Sequence, residues 1–560
     1  MQKFEPSASP ASPSSIARIF SLRLPVAAAD ARKLRHRMDS PSRRRRDSWV
    51  SNPPAKASVG NTKSVCVIGA GHVGAPHAIM MAKKCPSVKF TVVDDDERRV
   101  AAFKSSSLLP FYEPGMAETL DDVKGTNLFF STDFDGAVRD ADMVFVSVST
   151  PLKDGGAGAG YAPDLVHWEI VARRISKAAG GPKVIVERST VPATAGKSMA
   201  KILKANSPHA MVVLSNPEFA REGNAMVDHA SPERVLIGGP ETEAGLAAIE
   251  QLAALYCQWV PRDKVITSSL WSAELSKLTQ NAFLAQRVSS INAISALCEA
   301  TGADVDEVSF AVGVDTRIGR KGITASVGFG GACYETHLRN LVYLASVSRL
   351  PQVAKYWQAV INMNEWQKRR FATKVVSAMF NTVSGKKLAL LGFAYKKNTS
   401  DTRNSAAIDV CRALLTERAQ IAVHDPRVAK EAIAVALSDA DGAERLLAVE
   451  ADPYVAIDGS HALLVMTEWD EFKRLDYKRA FAMMQKPAFV FDGRNLLDHA
   501  ALREIGFIVH GIGKAQPRGP APKPLIAGGS IGESSPGAPK PAAAAKPAAP
   551  LRMDTMGGGA

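Results

Sequence analysis

Val65-Cys66-Val67-Ile68-Gly69-Ala70-Gly71-His72-Val73-Gly74 decides the fold: four apolar residues run straight into a G-x-G-x-x-G turn. Val65–Ile68 reads as a short buried strand, and the glycines mark a strand-to-helix junction of the dinucleotide-binding kind. Gly69 permits the tight turn, Gly71 lets a pyrophosphate approach the backbone, and Gly74 lets the helix pack closely on the sheet. A structural glycine turn in some other α/β protein would show the same residues. Here the next strand ends in Asp94, twenty residues after Gly74, where a carboxylate accepts from an adenosine ribose 2′-OH. An acid there repels a 2′-phosphate, so the loop favours NAD over NADP. Arg99 follows within reach of the ribose, although an exposed helix arginine needs no function.

Outward from this turn, Phe90–Val93, Met143–Val148, Lys183–Val186 and Met211–Leu214 are further short apolar runs with polar ends. They read as buried parallel strands, and helical segments between them give the βαβ pattern of a doubly wound sheet. From Trp271 to about Thr301 the period changes. Leu275, Leu278, Ala282, Ala285, Val288, Ile291, Ile294 and Leu297 recur at three- and four-residue spacing without Gly or Pro. That predicts one helix of about 30 residues, roughly 45 Å long, which separates two lobes or builds an oligomer interface. A second α/β unit follows from Lys386, with strands at Leu388–Leu391, Ile421–His424, Ala462–Met466 and Ala488–Phe491 and a helix at Ser405–Arg418. The expected architecture is α/β: two Rossmann-like doubly wound lobes joined by a long central helix, with disordered tails. The expected boundaries are 1–62 for a basic tail or targeting segment, 63–270 for the NAD-binding lobe and 271–384 for the central helical domain. Residues 385–513 form the second lobe and 514–560 a Pro/Ala-rich tail.

The chain has 560 residues and a formal net charge of +13, which invites a nucleic-acid or membrane-surface reading. The charge is not spread evenly. Residues 1–62 hold twelve Lys/Arg against four Asp/Glu, and residues 514–560 hold six against two. That leaves 51 against 50 for residues 63–513, so the folded part is close to neutral and presents no basis for binding nucleic acid. The Ser- and Arg-rich, acid-poor start reads first as a solvated basic tail, with an organellar transit peptide as the alternative. No apolar run approaches the roughly 18 residues of a membrane span. Cys66, Cys85, Cys257, Cys298, Cys333 and Cys411 form no C-x-x-C pair and no metal-ligand spacing. Reduced thiols in a cytoplasmic compartment, and no metal, are expected.

Several patches carry chemistry. Ser189-Thr190-Val191-Pro192 and Asn216-Pro217-Glu218-Phe219 each follow a strand and place polar groups at the carboxyl edge of the sheet, where open α/β folds bind ligands. Lys277 and Asn281 share one face of the long helix. A lysine in such a stretch is usually a snorkelling surface residue, but this one lies near the expected cleft. Lys396 and Arg403 stand in the loop after the first strand of the second lobe, where they meet a diphosphate or remain solvated loop charges. Val327-Gly328-Phe329-Gly330-Gly331-Ala332-Cys333-Tyr334 enters a helix beginning near Cys333. A thiol at a helix N-terminus has its pKa lowered, and the thiolate is the nucleophile, whereas cysteines at large are mostly buried and inert.

Together with FYEPGM, ERSTVP, LSNPEF, RIGRKG, LLGFAYKKNTSDTRNS and VFDGRNLLD, these motifs resemble the UDP-glucose/GDP-mannose dehydrogenase family across about residues 64–513. The long-helix run ELSKLTQNAFLAQRVSSINAISALCEATGADV points to its eukaryotic UDP-glucose branch. The resemblance implies oxidation of UDP-glucose to UDP-glucuronate, a glycan and polysaccharide precursor. Two NAD⁺ are used without release of the aldehyde, by a dimer-based homo-oligomer, either a dimer or a hexamer. It implies NAD contacts at Gly69, Ala70, Gly71, His72, Val73, Gly74, Asp94, Arg99, Ser147, Val148, Ser149, Thr150, Pro151, Ser189, Thr190, Val191, Glu222 and Arg403. Substrate contacts are implied at Glu218, Phe219, Ala220, Arg221, Glu222, Lys277, Asn281, Val327, Gly328, Phe329, Gly330, Lys396 and Arg494. Arg317 is implied to reach the sugar nucleotide of a neighbouring subunit. Cys333 is the implied nucleophile, Glu218 and Lys277 serve acid/base roles, Asn281 sits with them, and Thr190 positions water.

The sequence also departs from the family. Thr336-His337 stands where the family carries a Lys-Asp pair after the nucleophile. Three readings follow for His337: a replacement general base, since imidazole has a suitable pKa; an impediment to thioester hydrolysis; or the mark of a ligand-binding subunit that does not turn over. Gly322 and Thr324 replace larger and basic residues, which touches the sugar contacts and subunit coupling, while His72 replaces a common Tyr. Outside this branch, a dehydrogenase of another nucleotide sugar and a polyanion-binding protein acting through its basic tails are the competing expectations.

Overall fold

The structure is a computed structural model that describes residues 62–105, 109–191 and 195–515. Nearly all of both expected tails, and Pro192, lie outside the described residues. Eight strands form the first sheet: β1 (Ser64–Ile68), β2 (Lys89–Val93), β3 (Leu128–Ser131), β4 (Met143–Val146), β5 (Lys183–Glu187), β6 (Met211–Ser215), β7 (Val235–Gly239) and β8 (Val265–Ser269). Their order is β3-β2-β1-β4-β5-β6-β7-β8, parallel except where β6 meets β7 through Ser215 and Gly238. The second sheet holds β9 (Lys387–Leu391), β10 (Gln420–His424), β11 (Leu446–Val449), β12 (Ala462–Val465), β13 (Phe489–Asp492) and β14 (Ile508–Gly511), all parallel in the order β11-β10-β9-β12-β13-β14. Both sheets reverse their winding beside the first strand, at β1/β4 and β9/β12, which opens a ligand crevice at the carboxyl ends of those strands.

The strands expected from apolar runs are present within a residue or two at each end. The run Met143–Val148 is shorter than expected, because Ser147 and Val148 already belong to the crevice loop. Five strands had no expectation. β3 is an edge strand whose Phe129 is exposed, β7 ends in two glycines, and three of the five β8 residues are Ser or Thr, so the apolar run of each is three residues or fewer. The glycines of β7 serve packing: a Cβ at Gly238 would stand 2.5 Å from Cβ of Ala273 on the long helix.

That helix spans Leu270–Thr301, starts at Ser269, whose hydroxyl accepts from Ser272 N–H, and stops at Gly302 with φ +88°. Its inner face is not the simple apolar stripe expected. Leu278, Ala282, Ala285 and Ile291 are buried, but so are Glu274, Lys277, Asn281, Ser289 and Asn292, while Leu275, Ile294 and Leu297 are exposed. Two helices pack on it, Ala332–Val347 and Pro351–Ala378. Leu278, Ala282 and Ala285 there meet Phe329, Leu338, Leu341, Val360 and Ile361 in one apolar cluster. Among the described residues no helix is long and apolar enough to cross a membrane, and no cluster of side chains could hold a metal ion.

Candidate functional site

The two sheets and the central helices enclose a cleft of about 1770 Å³. That exceeds the roughly 300–1,000 Å³ of an ordinary small-molecule site, so there is room for two ligands side by side. On the side of the first lobe it is floored by the glycine loop. A Cβ at Gly74 would lie 1.9 Å from the Gly69 carbonyl oxygen, and one at Gly69 would lie 2.5 Å from that of Ser147. Both glycines are therefore packing requirements, with Gly69 also at φ +101°. Gly71 differs: nothing stands within 4 Å of its Cβ position, so its backbone is open to a ligand. Asp94 accepts from Ala70 N–H at 2.8 Å and pairs with Arg99 at 3.1 Å, which holds a carboxylate beside the loop where a ribose hydroxyl would bind. Among the described residues the buried Ser147 hydroxyl has no hydrogen-bond partner. An open loop backbone, a fixed acid and an orphaned hydroxyl at the crevice fit an NAD molecule.

His72, Val73, Ser147–Pro151, Ser189 and Thr190 also line the cleft. Ser189 is committed to the backbone: its hydroxyl accepts from Val148 N–H and donates to the Val146 carbonyl. Thr150 likewise donates to the Thr190 carbonyl. His72 stacks on Phe111 with centroids 4.0 Å apart, and burial with nearby Arg403 pulls its pKa down to about 4. Val191 is not a cleft residue; it is buried in the apolar layer beneath the sheet.

Cys333, Lys277, Asn281, Glu218 and His337 converge on the same cleft. Cys333 is the second residue of the helix Ala332–Val347, which starts directly after Gly331 at φ +85°. Its Sγ is reached by solvent through the cleft, yet dense protein surrounds it, and burial raises the thiol pKa while Lys277 opposes the rise. The depressed thiol expected from the helix N-terminus is therefore not found, because desolvation of the thiolate outweighs the cationic neighbours. Lys277 does not snorkel. It is 8% exposed, its ammonium lies over the Phe219 ring, and burial lowers its pKa while Cys333 and Glu218 oppose that. Asn281 bonds His337 Nδ1 at 2.7 Å. Burial, with Lys277 nearby, drives the His337 pKa down to about 3. The imidazole is thus neutral, and Nδ1 accepts from the Asn281 amide. The suitable base strength expected of His337 is lost, since a conjugate acid this strong leaves a weak base at neutral pH.

Glu218 is the reverse case. Burial alone would raise its carboxyl, but Arg188, His229, the Ala220 N–H and Lys277 together hold it at about 2. It is an ionised acceptor and does not serve as an acid near neutral pH.

The second lobe closes the cleft. Glu222 accepts from Tyr395 O–H at 2.9 Å and lies 3.4 Å from Arg403, and its backbone carbonyl accepts from Lys396 Nζ. Burial and the neighbouring Asp401 push Glu222 up to about 7. Arg403 also pairs with Asp401 at 2.7 Å. Arg494 donates to the carbonyls of Met466 and Tyr395, with Glu468 3.4 Å away. Phe219, Ala220, Arg221, Gly328, Phe329 and Gly330 line the space between. The glycine loop before Cys333 is shaped by the second lobe: a Cβ at Gly330 would strike the Asn404 carbonyl at 2.4 Å, and one at Gly331 the Tyr395 ring at 2.8 Å. Two expected contacts fall outside. Val327 is fully buried in the core, its N–H donating to the Gly493 carbonyl, because the loop passes through packed protein before it reaches the cleft. Arg317 is exposed and paired with Asp315, away from the cleft of its own chain.

Sequence reasoning passed over Arg188, His229, Tyr256 and Arg234, all in the cleft wall. It also passed over Asn364 and Gln367, which hold the loop from behind by bonds to Phe329 and Ser326. Asn364, Gln367 and Lys368 are buried polar residues at helical spacing within Pro351–Ala378, a signal that the sequence does carry.

Comparison with known proteins covers the same segments. The chain matches the UDP-glucose/GDP-mannose dehydrogenase family in its NAD binding domain over residues 63–260, its central domain over 271–366 and its UDP binding domain over 389–499. It is 53% identical over 465 residues to UDP-glucose 6-dehydrogenase 5 of Oryza sativa subsp. japonica, covering 80% of this chain and 97% of that one. The UDP-glucose 6-dehydrogenase of Mus musculus is 52% identical over 461 residues, 81% of this chain and 93% of that one. Among solved structures, a UDP-glucose dehydrogenase from the hyperthermophilic archaeon Pyrobaculum islandicum superposes with a TM-score of 0.71 at 28% identity, over 82% of this chain and all of that one.

Proposed function

The chain belongs to the UDP-glucose/GDP-mannose dehydrogenase family, and from that premise we propose that it oxidises UDP-glucose to UDP-glucuronate with two NAD⁺. The observation that carries the reading is the meeting of Cys333, Lys277, Asn281 and Glu218 in one cleft, between an open dinucleotide loop and the basic loop of the second lobe. Gly71, His72, Asp94 and Arg99 hold the adenosine and diphosphate of NAD, and Ser147–Pro151, Ser189, Thr190, Glu222 and Arg403 border the remainder. NAD⁺ bound there accepts the hydride of each oxidation.

The residues of the chain supply the rest. Lys396, Arg494 and the Gly328–Gly330 loop bind the UDP-sugar. Lys277, a cation fixed in a desolvated wall, stabilises negative charge as it develops on the substrate oxygen. The first oxidation yields an aldehyde, to which the Cys333 thiolate adds as a thiohemiacetal. Lys277 is the group that favours this thiolate against the rise imposed by burial. The second oxidation gives a thioester, which keeps the reactive carbonyl on the protein. Water that donates to Glu218 and is held by Thr190 adds to the thioester carbonyl; the C–S bond breaks, and the water proton passes to the Cys333 sulfur, returning the free thiol.

A second reading concerns rate. His337 is buried, neutral and engaged by Asn281 through Nδ1, so it does not replace a carboxylate in activating water. Slow thioester hydrolysis follows, with a sugar adduct persisting on Cys333. We further assign a cytoplasmic, dimer-based homo-oligomer. Exposed Trp271, Leu275, Phe283 and Leu297 on the long helix offer an apolar surface to a second copy, and six unpaired cysteines suit a reducing compartment.

The test is NADH formation from UDP-glucose, followed alongside product. Two NADH per UDP-glucuronate support the reading, and none at saturating NAD⁺ overturns it. Competition with GDP-mannose and UDP-N-acetylhexosamines separates the sugar nucleotides. Intact mass during turnover shows the Cys333 adduct if hydrolysis is slow, whereas a free protein mass at ordinary rates rejects the second reading.

A further inference from the structure

Behind Glu218 lies a chain of buried polar groups that the reaction as described does not use. Arg188, directly after β5, is 4% exposed. Its NH1 donates to the Asn216 side chain at 2.6 Å, to the Asn216 carbonyl at 3.3 Å and to Tyr256 O at 3.1 Å, while NH2 reaches Glu218 Oε2. Tyr256 in turn donates its O–H to Asn216 Oδ1 at 2.6 Å. Its oxygen must therefore accept from His77 Nε2, 3.0 Å away on the first helix, which fixes the tautomer of that fully buried imidazole. Asn216 is anchored from its other end by a bond from Nδ2 to the Leu236 carbonyl. From the opposite side His229 Nε2 stands 3.3 Å from Glu218 Oε2, with the His77 and His229 rings 5.3 Å apart.

Glu218 Oε2 thus accepts from Arg188 and faces His229 Nε2. Oε1 takes one bond, from Ala220 N–H at 2.6 Å, and keeps acceptor capacity for a water in the cleft. A buried guanidinium is a costly element in a protein wall, and removing its partner strands a charge. Here its unlike-charged partner is the one carboxylate that the proposed hydrolysis needs.

We propose that Arg188 is a positioning residue for this reaction. With His229 and the Tyr256–His77 pair behind it, Arg188 fixes the orientation of the Glu218 carboxylate and keeps it ionised, so that Oε1 orients water and never stores the proton. The proposal rests on the dehydrogenase reading for its use, but not for its geometry. The charged and titratable groups facing Glu218 are Arg188 from the end of β5, His229 from the helix Ala225–Ala230 and Lys277 from the long helix, with Tyr256 and His77 one bond further back. Burial would drive the carboxyl up if these were removed, and the guanidinium is the foremost group that prevents it.

Arg188→Gln keeps hydrogen bonding and removes the charge, whereas Arg188→Lys keeps the charge and loses the fork. His229→Leu removes the second partner alone. Two readouts are needed. The infrared carboxylate band of Glu218, isolated by difference against Glu218→Gln in each background, reports ionisation without substrate. It stays ionised from pH 8 down to pH 5 in the natural protein and in Arg188→Lys, and titrates within that range in Arg188→Gln. The pH profile of kcat for NADH formation gains an acid limb in Arg188→Gln, with about a tenfold fall between pH 8 and pH 5.5 as a buried, uncompensated carboxyl protonates. Arg188→Lys restores the natural profile, and His229→Leu adds a smaller limb. An unchanged band and an unchanged profile in a folded Arg188→Gln overturn the proposal. If Arg188→Gln does not fold, Arg188→Lys decides: a Glu218 band that titrates between pH 8 and pH 5 despite the retained charge overturns the proposal as well. A natural protein that makes no NADH contradicts the dehydrogenase reading instead, and the infrared arm still decides the role of Arg188.

Discussion

The two lobes share one turn and use it differently. β1 runs into Gly69 and β9 into Gly392, both at positive φ (+101° and +92°). Each donates its N–H to the neighbouring strand, Gly69 to the Val93 carbonyl at 2.8 Å and Gly392 to that of His424 at 2.7 Å. Each is followed by a backbone N–H that bonds an aspartate just past the second strand: Ala70 to Asp94 at 2.8 Å, Phe393 and Ala394 to Asp425 at 2.6 and 2.9 Å. There the likeness stops. In the first lobe the next residue is Gly71, with empty space at its Cβ position. In the second, the fully buried Phe393 fills the turn and Trp469 bonds the aspartate at 3.2 Å. A doubly wound sheet supplies a crevice, and the side chains at its mouth decide whether a dinucleotide enters it. The same holds for the strands that end beside the cleft. Asp492 closes β13 with partners at His499, Leu497 and Arg494, while Glu187 closes β5 with Trp168 on one oxygen and, among the described residues, no resolved hydrogen bond on Oε1.

The largest effect is expected between the lobes. Cys333→Ala leaves both crevices intact and removes the nucleophile, so complete oxidation falls by at least about 10³-fold, read as UDP-glucuronate formed. NAD affinity, read by calorimetry, stays unchanged. Next comes the filled turn. Phe393→Ala costs about 3–5 kcal/mol of stability as a large buried side chain is deleted, seen as a lower denaturation midpoint. It confers no dinucleotide affinity on the second lobe, and acquisition of a second NAD site would break the comparison. Gly71→Val in the open turn is expected to do the opposite. The structure has room for the side chain, so the melting temperature holds, while NAD Kd rises by about 100-fold because the pyrophosphate can no longer approach the backbone.

The smallest effect sharpens the contrast at the strand ends. Burial pushes Glu187 up to about 8, against about 4.5 when unfolded. A raised folded-state value means that stability is fully present below pH 4.5 and is lost progressively as pH rises toward 8. Glu187→Gln cannot ionise, so its melting temperature gains on that of the natural protein over that window. The gap is near zero at pH 4.5 and reaches a few degrees at pH 8.5 by differential scanning calorimetry. A constant gap across pH would contradict the assignment.

Much of this was legible in the sequence because it lies in local pattern. The glycine loop, its acid twenty residues on, the long helix and the loop entering at Cys333 all announce themselves within a few residues. What was not legible depends on contacts between distant segments. Leu275 and Leu297 fit the apolar period as well as Leu278 does, and only the packing of Ala332–Val347 and Pro351–Ala378 decides which is covered. The helix face of Lys277 places it near the expected cleft, but its burial depends on Phe219 and Cys333, brought from two other segments. The helix position of Cys333 implies a lowered thiol pKa, but the protein packed around it raises the value. Arg188 stands between Glu187 and Ser189 with nothing local to distinguish it; its meaning comes from Asn216, Glu218 and Tyr256.

The central claim is that one cysteine between two lobes, only one of which has an open dinucleotide turn, carries a sugar nucleotide through two oxidations. Intact-protein mass and NADH, recorded together in a single-turnover mixture of enzyme, UDP-glucose and NAD⁺, test it most directly. Two NADH per UDP-glucuronate are expected, with a sugar-nucleotide adduct that maps to Cys333, decays as product forms and is absent from Cys333→Ala. Two NADH formed at an unchanged rate by Cys333→Ala, or no NADH from the natural protein, would contradict it.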